Sequence, residues 1–326
     1  MRTTNPRSGL LRMTLAFVSL PIGLAFAWPV EAQNLKVTLL GTGTPPPIIE
    51  RFGPSILVQT DKESFLFDCG RGATQRLWQI KVPLSAPEGL FLTHLHSDHV
   101  VGIPDLWLTG WLPTAYGRRT APLRVWGPAG TKEMMANLEK AFEWDIRIRR
   151  ADQNLPASGV AVVAENLTQG IVYEKNGLKI TAFDTDHGDV IKPTLGYRIE
   201  YAGRAVVLSG DTRLSENLIR FAQGADLVVH SVGAAKEELL RRSEVVRNIL
   251  AHHISPEEAG TVFDRVKPKL AVYSHIVLLG DPAVPPPTLQ ELVDRTRKTY
   301  RGPLEVGKDL MVIEVGQTVQ VRQATP

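Results

Sequence analysis

The chain has 326 residues, 43% of them hydrophobic, and a formal net charge of +3. That is ample for a sizeable core in one large domain or two small ones. A single cysteine, Cys69, excludes an internal disulfide, so the fold must hold without one. It follows the apolar run Phe65-Leu66-Phe67-Asp68 and reads as a buried small hydrophobe rather than a nucleophile.

The first element is a leader. Arg2, Arg7 and Arg12 make a basic n-region, Met13 to Ala27 carries no charge, and small residues surround Val30-Glu31-Ala32. This predicts a signal peptide over residues 1–32, cleaved near Ala32, one domain over residues 33–326, and a periplasmic or secreted location. The competing reading, an uncleaved anchor, is disfavoured because the run is shorter than the ~20 apolar residues of a spanning helix and is broken by Pro21, Gly23 and Pro29. Setting aside Arg2, Arg7, Arg12 and Glu31 takes the 37 basic and 34 acidic side chains to 34 and 33, a mature net charge of about +1. Such a balance gives no general pull toward nucleic acid.

Beyond the leader, Leu35 to Leu40 reads as a strand ending in Gly41-Thr42-Gly43-Thr44-Pro45. Ser55 to Gln59 and Ser64 to Phe67 form a hairpin pattern across Thr60-Asp61-Lys62-Glu63. Gly72 to Gln79 has helical spacing, and Gly89 to Thr93 is a short buried strand. A strand at Leu123 to Trp126 precedes an amphipathic helix from Thr131 to Phe142. Residues Arg147 to Gly170 are the least patterned and predict an excursion from the core, with Arg147, Arg149 and Arg150 as a small basic cluster. Further strands follow at Leu178 to Phe183, Gly196 to Tyr201, Ala205 to Ser209, Asp226 to His230 and Leu270 to Ser274. Helices are expected at Ser215 to Ala222, Lys236 to Leu250 and Pro256 to Val266, then Thr288 to Tyr300 before a closing strand, Asp309 to Val315. Helices interleaved with strands in both halves imply an α/β fold of two packed sheets with helices outside.

The chemistry concentrates in His94-x-His96-x-Asp98-His99, directly after an apolar strand. On a loop leaving a strand, alternate residues point to one side, so His94 and His96 can share an ion while Asp98 and His99 face a second position. Imidazole and carboxylate are the usual ligands of zinc, and a catalytic ion keeps a position open for water.

Thr-His-x-His-x-Asp-His after a buried strand resembles the signature of the metallo-β-lactamase superfamily. With Gly41-Thr42-Gly43-Thr44-Pro45 and Val100-Val101-Gly102-Ile103-Pro104-Asp105-Leu106, the likeness extends to its ribonuclease Z and arylsulfatase-type branch and covers Asn34 to Val315. The resemblance implies an αββα sandwich of two mixed sheets. It also implies a binuclear site, with His94, His96 and His187 on one ion, Asp98, His99 and His275 on the other, and Asp211 bridging. Asp98 is counted with the catalytic residues as well as with the ligands. The ions implied are two Zn2+, with Mn2+ or Fe2+ the alternatives. Between cations roughly 3.5–4 Å apart a water loses a proton near neutral pH, and the bridging hydroxide is the expected nucleophile.

Asp68 is expected to orient loop and ligands by hydrogen bonds, with a plain turn-forming role as the alternative. His253, in His252-His253-Ile254-Ser255-Pro256, resembles the family histidine that contacts the scissile phosphate and protonates the leaving oxygen. The competing reading is a flank of the helix that Ser255 caps. His230 is followed by Ser231 where relatives often carry an acid, which weakens the transfer of ribonuclease Z chemistry. Trp107 and Trp111 read as core first and as an aromatic pocket second.

The function expected from the sequence is therefore exported hydrolysis of a phosphodiester or aryl sulfate ester. A small-molecule substrate, no nucleic acid, no stable membrane insertion after cleavage and room for a homodimer go with it. The alternatives are a ribonuclease Z-type endonuclease of transfer RNA 3′ ends, a lactone or carboxylic ester hydrolase, and a metal-binding protein with lost activity.

Overall fold

The computed structural model describes residues 1–3 and 35–324. The body of the expected leader and its cleavage point lie outside the described residues.

In the first sheet β1 (Leu35–Gly41), β2 (Ser55–Gln59), β3 (Ser64–Phe67), β4 (Gly89–Phe91), β5 (Leu123–Gly127) and β6 (Val162–Asn166) lie side by side in that order. The second sheet takes β7 (Gly170–Lys175), β8 (Leu178–Asp184), β9 (Leu195–Tyr201) and β10 (Arg204–Leu208). It continues through β11 (Leu227–Ala235) and β12 (Leu270–Leu279) to β13 (Leu304–Val306). The chain then returns to the first sheet, where β14 (Met311–Val315) pairs antiparallel with β1 and β15 (Val319–Gln323) forms the edge.

Three apolar layers hold these sheets. Between them lie Val37, Phe65, Phe67, Phe91, Trp126, Tyr197, Val229 and Ile313, with Phe91 stacked on Phe67 at 5.2 Å and on Trp126 at 4.8 Å. Outside the first sheet Leu66, Leu77, Leu90, Ile103 and Trp107 form a second layer, and outside the second sheet Val207, Leu218, Val262, Phe263 and Ala271 form a third. The expected αββα sandwich is the fold observed. Strands buried on both faces, such as β11 with every residue buried, read as continuous apolar runs because helices cover one side and a sheet the other.

The sequence pattern locates the β2–β3 hairpin and the β9–β10 hairpin, whose turn residues Ala202 and Gly203 both take positive φ. Three differences matter. β11 and β12 run past His230 and Ser274 to Ala235 and Leu279, because a bulge between His230 and Val232 lets the pairing resume beyond the polar residues. The helix expected from Lys236 to Leu250 is two, Glu237–Arg242 and Glu244–Leu250, since the Ser243 hydroxyl accepts from the Val246 amide and starts a new helix. Residues 147–170 are not wholly an excursion. They end the exposed helix Glu143–Gln153, form Ala157–Val160, and supply β6, an edge strand too exposed to show a buried pattern. Trp107 and Trp111 are core, as first expected, with their indole N–H groups donating to the Val160 and Pro156 carbonyls. Among the described residues no helix is long and apolar enough to cross a membrane.

Candidate metal centre

The parallel strands of both sheets open onto one end of the sandwich, where loops after strand C-termini collect. The first set of side chains comes from the loop after β4. Asp68 leaves β3 with φ +57 and turns its carboxylate beneath that loop. One oxygen accepts the Thr93 amide at 2.8 Å; the other accepts the Thr93 hydroxyl at 2.8 Å and lies 2.8 Å from His99 Nδ1. His96 caps the short helix Ser97–Val100, and its carbonyl accepts the His99 amide. Gly70 lets this turn pack down, since a Cβ there would stand 2.5 Å from the Asp98 carbonyl oxygen. Asp68 thus braces the loop, as expected, and its role exceeds that of a turn former.

The second set comes from the other sheet. His187 follows β8 and donates from Nδ1 to the His252 carbonyl at 2.8 Å, which turns Nε2 inward. Asp211 follows β10. Its Oδ2 lies 3.6 Å from His99 Nε2, 3.8 Å from His187 Nε2 and 3.3 Å from His275 Nε2. His275 interrupts β12 with φ +45, the twist that swings its ring toward Asp98 Oδ2 at 3.2 Å.

The structure therefore brings together all seven expected ligands. His94, His96 and His187 offer nitrogen atoms within 4.8 Å of one another, as do the donors of Asp98, His99 and His275, and those of His94, His99 and Asp211. Buried polar atoms without hydrogen-bond partners point to a cation: His99 Nε2, His187 Nε2 and Asp211 Oδ1 are all enclosed and unpaired. Leaving such atoms unmatched costs ~1–3 kcal/mol each, and coordination removes that cost. The donor set, imidazole and carboxylate, suits a divalent ion of the zinc type.

Protonation agrees. Burial, reinforced by the charge of His99, holds His94 well below the ordinary histidine range, and burial takes His187 to about 4. Both are neutral at pH 7, the form that has a lone pair for metal. Burial works to protonate Asp211, but His275 and His99 outweigh it and keep the carboxylate ionised. Burial likewise opposes the charge of His99, yet Asp68 and Asp211 beside it draw its pKa well upward in the bare cluster.

His253 reaches the centre from the turn after Glu244–Leu250. Its unpaired Nδ1 lies 4.0 Å from Asp211 Oδ2, and its ring stacks over His275 at 5.7 Å. Burial lowers its pKa to about 3, so at pH 7 it is a neutral imidazole at the mouth of the site. His252 beside it is half-buried at the rim. His230 does not enter the centre. It is buried behind Asp211 with Nδ1 donating to the Ser231 carbonyl at 2.7 Å. Cys69 is buried, and burial raises its thiol pKa, as its apolar setting implies.

In front of the centre opens a cleft of about 390 Å³, bounded by Thr44 to Pro46, His96, Asp98, Asp211, His252, His253, His275, Ile249 and Val277 to Leu279. Two features of the cleft and its supports escape the sequence reading. One is the aliphatic stretch beyond His275. The other is Asp309, read only as the start of the closing strand: its carboxylate accepts the Thr42 amide and hydroxyl and the Phe52 amide and pairs with Arg76 at 3.0 Å. It anchors the Gly41 to Pro45 turn whose end forms one lip of the cleft.

Comparison with known proteins follows the geometry. Residues 63–276 match the beta-lactamase superfamily domain. The chain is 36% identical over 283 residues to Ribonuclease Z of Mycobacterium bovis (strain BCG / Pasteur 1173P2), covering 86% of this chain and 98% of that protein. It is 35% identical over 292 residues to Ribonuclease Z of Mycolicibacterium gilvum, covering 89% and 99%. Among solved structures, the metallo-beta-lactamase fold protein YhfI from Bacillus subtilis matches with a TM-score of 0.66 at 20% identity, over 86% of this chain and 99% of that one. The short form of human tRNase Z matches with a TM-score of 0.63 at 20% identity, over 85% and 98%. These two likenesses concern the fold alone.

The expectation of a small-molecule ester substrate and no nucleic acid is overturned by relatives named as ribonucleases along nearly their full length. Its basis was the predicted export, which would keep the chain from transfer RNA, together with a near-neutral mature charge, which limits nonspecific attraction over the whole surface and says nothing about one local site. The chain belongs to the β-lactamase superfamily and, within it, to the ribonuclease Z family, and it is a metal-dependent hydrolase of ester bonds.

Proposed function

We propose that the protein is a ribonuclease Z-type endonuclease, hydrolysing a phosphodiester bond at the 3′ side of a transfer RNA-like substrate. The observation that carries this reading is the 36% identity along 98% of a protein named Ribonuclease Z, which spans both halves of the centre. In this reading His94, His96 and His187 hold one ion, Asp98, His99 and His275 the other, and Asp211 lies between; zinc is the first choice of metal, with manganese or iron next. When bound, the ion pair supplies an activated water and neutralises charge on the phosphoryl oxygens.

The chain's own groups do the rest. Asp68 fixes the loop through Thr93 and His99, so that His94 and His96 need no reorientation. His187 is aimed by the His252 carbonyl. Asp98, ionised beside His275, keeps negative charge where cations and a departing proton need it. His253 stands at the mouth and offers an N–H to the leaving oxygen. The leader read from residues 1–32 further supports export, to the periplasm or beyond, where the substrate would be RNA outside the cytoplasm.

The test is incubation of the zinc-loaded chain with a precursor transfer RNA carrying a 3′ trailer. Cleavage near the trailer junction, abolished by chelation and restored by zinc, is the expected result. Intact RNA in the presence of fully loaded, folded protein contradicts the reading.

A further inference from the structure

The feature left unused is the aliphatic wall of the cleft beside the centre. β12 does not stop at His275; it continues as Ile276 to Leu279, paired in parallel with Val232 to Ala235 of β11. The strand pair therefore overshoots the centre and carries Val277, Leu278 and Leu279 along one side of the opening. Ile249, from the helix Glu244–Leu250, and Pro45 and Pro46, from the turn anchored by Asp309, complete the surface. Among the described residues bounding this cleft there is no lysine or arginine.

This composition is unusual for the path of a polyanion. A groove that follows a nucleic acid backbone is lined with cations, one for each phosphate it meets. Here the charged groups of the cleft are two carboxylates, beside the histidines of the centre. The rest of the lining is aliphatic apart from Thr44 and offers no cation to a second phosphate. Such a surface favours a flat, poorly hydrated group, with contact area rather than charge as the source of affinity.

Resting on the phosphodiesterase reading above, we propose that the cleft holds a single nucleoside. Its phosphate lies at the centre and its base lies against Val277, Leu279 and Ile249, while neighbouring phosphates of the chain remain outside. The volume of about 390 Å³ falls within the range of small-ligand pockets and well short of an RNA groove. Specificity at the cleavage point is then set by which base packs on the aliphatic wall, and the remainder of the RNA is held by other surfaces.

The probes are adenosine 5′-monophosphate and methyl phosphate, which share a phosphate monoester and differ in the base and ribose. Calorimetric titration of the zinc-loaded protein with each measures what the wall adds. The nucleotide is expected to bind about tenfold tighter or more, the equivalent of one well-buried apolar contact. Leu279→Ala and Ile249→Ala, on two separate elements, are each expected to cut that ratio to about threefold or less, with circular dichroism and zinc content showing that the fold and centre persist. Equal affinity of the two ligands in the native chain overturns the proposal. So does an advantage that survives in both variants. A nucleotide advantage lost in both variants supports the wall even where no RNA is cleaved, and that combination would instead remove the ribonuclease reading.

Discussion

The two halves of the metal centre are built differently. In the first sheet His94, His96, Asp98 and His99 share six residues of one loop, and that loop is tied down before any ion arrives. Asp68 alone engages Thr93 twice and His99 once, and the His99 amide donates to the His96 carbonyl. In the second sheet His187, Asp211 and His275 come from three separate segments with less bracing of their own: the His252 carbonyl aims His187, while His187 Nε2 and Asp211 Oδ1, like His99 Nε2 of the first half, have no partner among the described residues. One half is preorganised by hydrogen bonds and the other is completed by the cations it binds. Removal of metal should therefore loosen the second half while the first holds its shape.

The largest expected effect breaks the second half. Asp211→Ala removes the carboxylate proposed to lie between the two donor sets, and turnover of an RNA phosphodiester should fall by ~10²–10³-fold, as when a charge-stabilising element is deleted. Zinc content measured on the folded variant should fall with it. Retention of native activity would show that Asp211 does not serve both positions.

His253→Ala tests the mouth of the site. Neutral at pH 7, His253 can hydrogen-bond the leaving oxygen rather than protonate it, so its loss should slow poor leaving groups by about tenfold and good ones less. Comparing an RNA phosphodiester with a nitrophenyl ester checks this, and equal losses on the two would remove His253 from that role.

Asp68→Asn strikes the preorganised half. The change keeps the shape and removes the charge beside His99, so zinc affinity should fall ~10–100-fold, the usual consequence of losing a group that orients a ligand. Competition with a chromophoric chelator reads it directly; an unchanged affinity would mean that the loop is held by its backbone alone.

Much of this comparison is visible in the sequence, and the limit has a physical cause. The first half is a local pattern, three histidines and an aspartate after one apolar strand, so it can be read without knowing the fold. His187, Asp211 and His275 are single polar residues at strand ends, each unremarkable alone, and only their order relative to the main motif, through family resemblance, marks them. The cleft wall was not legible. Leu270 to Leu279 is apolar on both sides of Ser274 and His275, and nothing local tells a strand that ends at a histidine from one that bulges and resumes. Asp309 was missed because its partners lie near residue 42 and residue 52, contacts that sequence pattern cannot place. The substrate class was misjudged from the predicted leader and the net charge, neither of which describes the local site.

A smaller effect concerns pH and the metal-free protein. His230 is buried behind the centre and burial lowers its pKa to about 4, against an ordinary value of 6.5. The unfolded chain then takes up a proton that the folded one refuses, so stability is full above about pH 6.5 and falls as pH drops toward 4. At ~1.4 kcal/mol per unit, this one group contributes a loss of order 3 kcal/mol across the window. Denaturant melts of the metal-free protein at pH 7 and pH 4.5 measure it. His230→Gln should flatten the slope in proportion, and an unchanged slope would place the sensitivity in other groups.

The most direct test of the account is the number of zinc ions held by the native chain and where they sit. Elemental analysis of the purified, folded protein should give two per chain, and anomalous diffraction at the zinc edge should show two peaks with Asp211 between them. One of these should lie among His94, His96 and His187, and the other among Asp98, His99 and His275. Fewer than one ion per chain, or a single peak away from Asp211, would contradict it.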